Sequence, residues 1–344
     1  MKVREKGYIT LRNAKSMAEE GVFSILRSIS RRKIPDDFGV PSIAKSTPVP
    51  FSVENFHPIP RGEGSICFVD GGNNTIFIAP GQAVHMIRLY YSLFNGTIKE
   101  EFGRYTFILD TRYDPDDESY NVVIYDLDNS NLFSESMRVE EEALGEEKIR
   151  GIGSYVRRIG EWLLMERIAD KCDIVVRDGS LQTGEREEYI YQSRVFERVR
   201  GIVGISKTCS LMTTRGFSIV AAVHYLAEKH GINAPWYYHP IAKNISTIQG
   251  DMFVIKLHPL ADYAFRTEIY PAEIAEQALS MLIPLSDDPT FLGYPYGLLD
   301  ADINARISDE EIKLYRGMMY DYMDEYSIME SRALDAHDII SGVK

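Results

Sequence analysis

Strand-like runs of apolar residues dominate the stretch between Ser65 and Asp128. Ile66, Phe68 and Val69 form a short run that ends on Asp70, and Gly71-Gly72 predict a sharp turn directly after the acid. Further runs follow at Thr75–Ile78, Ala83–Phe94, Tyr105–Leu109 and Val122–Tyr125, divided by Pro-Gly, Asn-Gly and Asp-Pro turn signals. Spacers this short favour antiparallel hairpins. The pattern then changes to a long helix over about Val139–Ala169, a strand at Asp173–Arg177, a helix near Glu187–Arg200 and a strand at Ile202–Ile205. A late hairpin is expected between Met252 and Tyr270, with a helix over Pro271–Leu282 after it. Ser308, followed by three acids, caps the start of a last helix.

Several antiparallel strands, helix, strand, helix, strand is the order of an α/β ribonuclease-H-like fold, a mixed sheet flanked by helices. In that plan the first strand and the strand after the first helix are neighbours. The second of these, D-I-V-V-R-D-G-S, ends on Asp178, so the two remote acids Asp70 and Asp178 are expected side by side. An ordinary Asp-Gly turn would explain either motif alone; the topology is what joins them.

Residues 1–62 read as an N-terminal helical and extended arm, and 63–344 as the main domain with added C-terminal helices. Ala14–Ser30 has helical spacing and leads into Arg27, Arg31, Arg32 and Lys33, a cationic helix end suited to DNA, to a partner or simply to solvent. Six prolines between Pro35 and Pro60 then keep the chain extended.

At 344 residues, 44% hydrophobic and 26% charged, the composition is that of a soluble globular protein. No run reaches the roughly 18 apolar residues of a membrane helix, and no apolar signal core follows the start, so a cytoplasmic location with no membrane partner is expected. The three cysteines, Cys67, Cys172 and Cys209, form no C-x-x-C pair, which argues against structural zinc and a disulfide framework. A net charge of −13 argues against a general polyanion binder, although a local basic path can coexist with an acidic exterior.

Carboxylates at adjacent strand ends suit hard divalent ions, Mg²⁺ or Mn²⁺, and a pair of such ions can drive phosphodiester hydrolysis. A site of this kind needs further acids. Glu161 or Glu166 on the helix before Asp178, and Asp300 or Asp302 near the C-terminus, are the candidates; helical phase favours Glu166, on the stripe with Ile159, Trp162 and Leu163. Lys207 and Arg266 are placed to steady phosphate or developing negative charge. Tyr237, Tyr238 and Tyr294 could stack on unpaired bases. His239 and His258, each followed by proline, read as structural. The G-I-V-G-I-S-K-T segment lacks the second glycine of a P-loop and reads as a strand.

These residues sit in a succession of motifs: F-V-D-G-G (68–72), R-I-G-E-W (158–162), R-D-G-S-L-Q-T-G (177–184), G-I-S-K-T (204–208), P-W-Y-Y-H-P (235–240), K-L-H-P (256–259), F-R-T-E (265–268) and G-Y-P-Y-G-L (293–298). In this order they resemble the NurA nucleases, the DNA-end-processing partners of the HerA translocase. The resemblance implies a ribonuclease-H-like fold, a homodimer docking on a HerA-type hexameric ATPase, and Mn²⁺-supported cleavage of single-stranded DNA or DNA ends. It also implies metal ligation by Asp70, Asp178 and, as the Glu of G-E-W, Glu161. Many members carry a histidine where Asp302 stands, so Asp302 is expected as a substituted ligand. A catalytically weakened adaptor of the same fold, or another ribonuclease-H-like nuclease acting on junctions or RNA, are the alternative expectations.

Overall fold

A computed structural model describes residues 21–27, 30, 34–35, 37–183, 186–245 and 250–334. The chain divides into two compact units, Met1–Phe38 and Gly39–Lys344. In the first, residues 21–27 and 30 are helical, and the side chains of 21–27 are exposed; Arg31, Arg32 and Lys33 lie outside the described residues. Residues 39–62, grouped with the arm in the sequence-based division, belong to the second unit, where Phe56–Pro58 forms an edge strand.

The second unit is built on one sheet of eleven strands: β1 (Phe56–Pro58), β2 (Ser65–Ala79), β3 (Gln82–Asn95), β4 (Ile98–Asp114), β5 (Ser119–Asp126), β6 (Ser136–Glu140), β7 (Ile174–Asp178), β8 (Ile202–Ser206), β9 (Trp236–Tyr238), β10 (Asp251–Lys256) and β11 (Phe265–Tyr270). Their spatial order is β1-β9-β10-β11-β8-β7-β2-β3-β4-β5-β6. The central strands β2, β7 and β8 run parallel, and every other neighbouring pair in this sheet is antiparallel. The helices are α1 (Ile152–Ile168), α2 (Arg186–Arg198), α3 (Ile219–Lys229), α4 (Ala275–Leu282), α5 (Tyr296–Ala305), α6 (Asp309–Tyr320) and α7 (Glu325–Leu334). This is the mixed, helix-flanked sheet that the element order predicts.

Alternation along the central strands divides the interior. Cys67, Val69 and Val175 pack with Val156, Ile159 and Trp162 of α1, whereas Ile66, Phe68, Val176 and Val203 pack with Leu279 and Leu282 of α4 and Leu298 of α5. A third core lies under α3, where Val223 meets Trp236 and Val254. The Ser308 cap forms as expected, its Oγ accepting from the Glu311 amide at 3.1 Å.

Two elements differ from the sequence expectation. The helix expected from Val139 begins only at Ile152: Ser136–Glu140 is a strand, and Glu141–Gly151 is a run of 3₁₀ turns broken at Gly145 (φ 58°) and Lys148 (φ 48°). Glu142 and Glu146, four apart and alike in charge, oppose an α-helix there. Gly71-Gly72 makes no turn either, because β2 runs unbroken to Ala79.

The two glycines instead admit close neighbours. A Cβ on Gly71 would lie 2.7 Å from Glu161 Oε1, and one on Gly72 would lie 2.1 Å from the Ala305 carbonyl oxygen of α5. Gly297, in the first turn of α5, likewise abuts the Phe68 ring, which its Cβ would meet at 2.1 Å. Gly72→Ala is therefore expected to cost about 1–3 kcal/mol in urea denaturation. Gly81→Ala, at a position with nothing within 4 Å of the added methyl, should stay within about 0.5 kcal/mol of wild type.

Candidate metal centre

Parallel pairing of β2 with β7 places Val69 opposite Arg177, and β7 pairs with β8 so that Asp178 faces Ile205. Asp70 and Asp178 thereby lie on neighbouring strands, on the sheet face that also carries Phe68 and Val176. Asp302 comes down onto this point from α5. Carboxylate oxygens of Asp70, Asp178 and Asp302 all lie within 4.8 Å of one another.

Three like charges this close repel, and the surroundings answer with cations. Lys207, the residue after β8, places Nζ 2.5 Å from Asp178 Oδ2 and 3.4 Å from Asp302 Oδ1. Arg306, one turn along from Asp302, donates to its Oδ2 at 2.9 Å. Among the described residues Asp70 has no such partner of its own; its Oδ1 accepts the Gly71 amide at 2.7 Å. Burial, then the charges of Glu161 and Asp178, push its carboxyl up to about 7, against the opposing pull of the Gly71 amide and Arg157. Burial alone would lower the Lys207 ammonium, but Asp178, followed by Asp302 and Asp70, raises it, so it stays charged.

Tyr294 closes one side of the cluster. Its ring centroid lies 5.3 Å from Lys207 Nζ, and its buried hydroxyl has no hydrogen-bond partner among the described residues. Burial, reinforced by Asp178, Asp70 and Asp302, raises that hydroxyl well above the ordinary tyrosine range, so it remains a donor. Hard oxygen donors from three carboxylates, close enough to share a cation, fit Mg²⁺ or Mn²⁺ rather than a thiol-seeking metal.

The other expected residues lie elsewhere. Asp300, two residues from Asp302 and on the opposite flank of α5, is held by Lys99 at 2.8 Å and Tyr90 at 3.0 Å. Glu161 does not join the carboxylate cluster. It is buried and paired with Arg157 and, at 2.7 Å, with Arg177, whose guanidinium also stacks 4.4 Å over Trp162. Two arginines hold its carboxylate in the charged form, and that charge acts on Asp70 across the bare Gly71 without joining the cluster. Glu166 turns away toward Arg198, 3.7 Å distant.

Arg266 is not open to a phosphate; it is buried against Glu268. Tyr238 is equally buried, its hydroxyl accepting from the Ser52 amide at 3.0 Å, which removes it from base stacking, while Tyr237 stacks on His57. The partners of these acids were legible in spacing: Arg157 stands at i−4 from Glu161 on a helix, and Arg266 at i−2 from Glu268 on a strand.

No protein-family model matches the chain, and no curated protein matches it. Among solved structures, it is similar to the NurA nuclease from Sulfolobus solfataricus, with a TM-score of 0.55 and 14% identity over 92% of this chain and 99% of that one. It also matches human endonuclease V (TM-score 0.38, 13% identity, 74% and 86% covered) and Ciona intestinalis endonuclease V in complex with inosine-containing DNA (TM-score 0.38, 11%, 74% and 92%). The likeness to NurA is one of fold, the ribonuclease-H-like mixed sheet, and it spans nearly the whole of both chains. Among the described residues no helix is long and apolar enough to cross a membrane.

The raised Asp70 carboxyl has a thermodynamic sign. In metal-free protein the folded state holds a proton between the unfolded carboxylate range near 4 and about 7 that the unfolded state has released. This group's contribution therefore favours folding below that window and is lost as pH rises through it. Asp70→Asn should raise Tm relative to wild type by an amount that grows from pH 4 to pH 7 and levels off above. A difference that is constant across this range in EDTA would contradict the assignment.

Proposed function

We propose that this chain is a divalent-metal-dependent DNA nuclease of the NurA type. The observation that carries the reading is the convergence of Asp70, Asp178 and Asp302 beside Lys207 at the centre of a ribonuclease-H-like sheet. These three aspartates would hold Mn²⁺ or Mg²⁺. The bound ions would supply an activated water and neutralise charge on the leaving oxygen of a phosphodiester.

The residues of the chain define the remaining roles. Lys207, with its ammonium already among the acids, is placed to face a phosphate oxygen once the carboxylates are otherwise satisfied. The Tyr294 hydroxyl, protonated and without a partner among the described residues, offers a second donor. Glu161 and its two arginines act as a charged support beneath Asp70. Burial of the Tyr294 ring strengthens the contact of Lys207 with its face.

Single-stranded DNA or DNA ends are the proposed substrate, cut in the cytoplasm by a homodimer fed by a HerA-type hexameric translocase. The motif succession and the fold shared with the Sulfolobus NurA nuclease support this part of the reading. The N-terminal unit, Met1–Phe38, is proposed as the arm for the partner or the DNA. One observation favours the adaptor reading: Asp302, in place of a histidine, is engaged by both Lys207 and Arg306.

Labelled single-stranded oligonucleotides should be degraded by the purified protein with Mn²⁺ and spared in EDTA. Asp70→Asn and Asp178→Asn should each lower the rate by about 10²-fold or more, and Lys207→Met by about 10²-fold. Cleavage by Asp178→Asn at the wild-type rate would refute the nuclease site. Retained Mn²⁺ binding without any cleavage of DNA or RNA would instead establish the adaptor.

A further inference from the structure

Beyond the acids themselves, the turn that follows Asp178 is unusually well tied. Gly179 (φ 105°) carries the chain across the end of β7, its amide donating to the Ile205 carbonyl at 2.8 Å. The turn then crosses Gly204 of β8, where a Cβ would meet the Gly179 carbonyl oxygen at 2.7 Å and Leu181 Cγ at 3.0 Å. Leu181 drops into the core shared with α1.

Both polar backbone groups of Leu181 are occupied by buried side chains. Its amide donates to Glu268 Oε2 at 2.5 Å, and its carbonyl accepts from Gln192 Nε2 of α2. Ser180 Oγ donates to the same Glu268 carboxylate at 2.9 Å and 3.2 Å. Arg266, two residues away on β11, balances the Glu268 charge and also donates to Ser180 Oγ at 3.4 Å. Glu268 itself is fully buried and lies in register opposite Gly204.

A buried carboxylate that takes two donors from a three-residue turn costs much desolvation unless the turn is held in one shape. The residue that benefits most directly is the one at the turn's origin. We propose that Glu268 is a positioning residue for the metal centre: through Ser180 and the Leu181 amide it fixes the Asp178 carboxylate in the spacing that a divalent ion requires. Its own carboxylate is committed to the turn and to Arg266 and takes no part in ligation. The inference rests on the nuclease reading only in requiring that the three aspartates bind the ion.

Mn²⁺ binding to the full chain, followed by the loss of free-ion EPR signal without DNA, tests this apart from catalysis. Wild type should bind; if it does not, the metal centre itself fails, separately from the role of Glu268. Given wild-type binding, Glu268→Gln should weaken Mn²⁺ affinity at least fivefold and Ser180→Ala at least twofold. Both should lower kcat with less than a twofold change in KM for the oligonucleotide.

Glu188→Gln is the control. Glu188 is a comparably buried acid, but its carboxylate is bonded to Trp162 Nε1 at 2.9 Å and to Arg158 rather than to the turn. It should change Mn²⁺ affinity less than twofold when compared at equal distance below each variant's Tm. Wild-type affinity in Glu268→Gln, or an equal loss in Glu188→Gln, would overturn the proposal. Should Glu268→Gln fail to fold, wild-type affinity in Ser180→Ala would overturn it.

Discussion

The parallel pairing of β2 with β7 is the constraint on which the rest depends. Parallel neighbours need a crossover, and here it is long: four antiparallel strand connections and α1 intervene before the chain returns beside its first central strand. A slip of one residue in that register would turn Asp178 toward α1 and leave Asp70 alone on its face. The centre is assembled by holding two carboxylates at adjacent positions and lowering a third onto them from α5. Burial, then the charges of Glu161 and Asp178, raises the Asp70 carboxyl, while Asp178, Asp302 and Asp70 keep the Lys207 ammonium charged.

On the opposite face, charge is handled differently. Glu161 and Arg177 are buried beside Trp162 with the half-buried Arg157 on Glu161, and Glu188 ties the same tryptophan to α2. Removing one member of such a group leaves an uncompensated buried charge, whereas the intact group adds little net stability. Arg157 also donates to the Gly71 carbonyl at 3.2 Å, so the cationic side of this group touches the backbone next to Asp70. The sheet thus separates an acid-rich pocket from a compensated ionic layer, with a glycine between them.

Much of this was legible in the sequence. The order of elements gave the mixed sheet, the apolar runs gave the central strands, and Asp70, Asp178, Asp302 and Lys207 all fall at one point. What was not legible has physical reasons. Gly-Gly after an acid reads as a turn because chain reversal and close packing both demand a missing side chain, and only three dimensions show α5 lying against Gly72. Helical phase could not separate Glu161 from Glu166 because α1 is buried around much of its circumference. Tyr238 read as a base-stacking residue because a three-residue strand is too short to display its period: Trp236 and Tyr238 face the core under α3, and Tyr237 packs on the opposite face against His57 and Phe253.

The approach of α5 to the sheet has an evolutionary corollary. Where a helix is spaced by interlocking aliphatic groups, each exchange of leucine for valine or methionine shifts it by a fraction of an ångström. Here the spacing at both ends of α5 is set where Gly72 meets a peptide oxygen and Gly297 meets a ring. An aliphatic exchange elsewhere in the interior would therefore disturb the distance from Asp302 to the strands less than one methyl group added at either glycine.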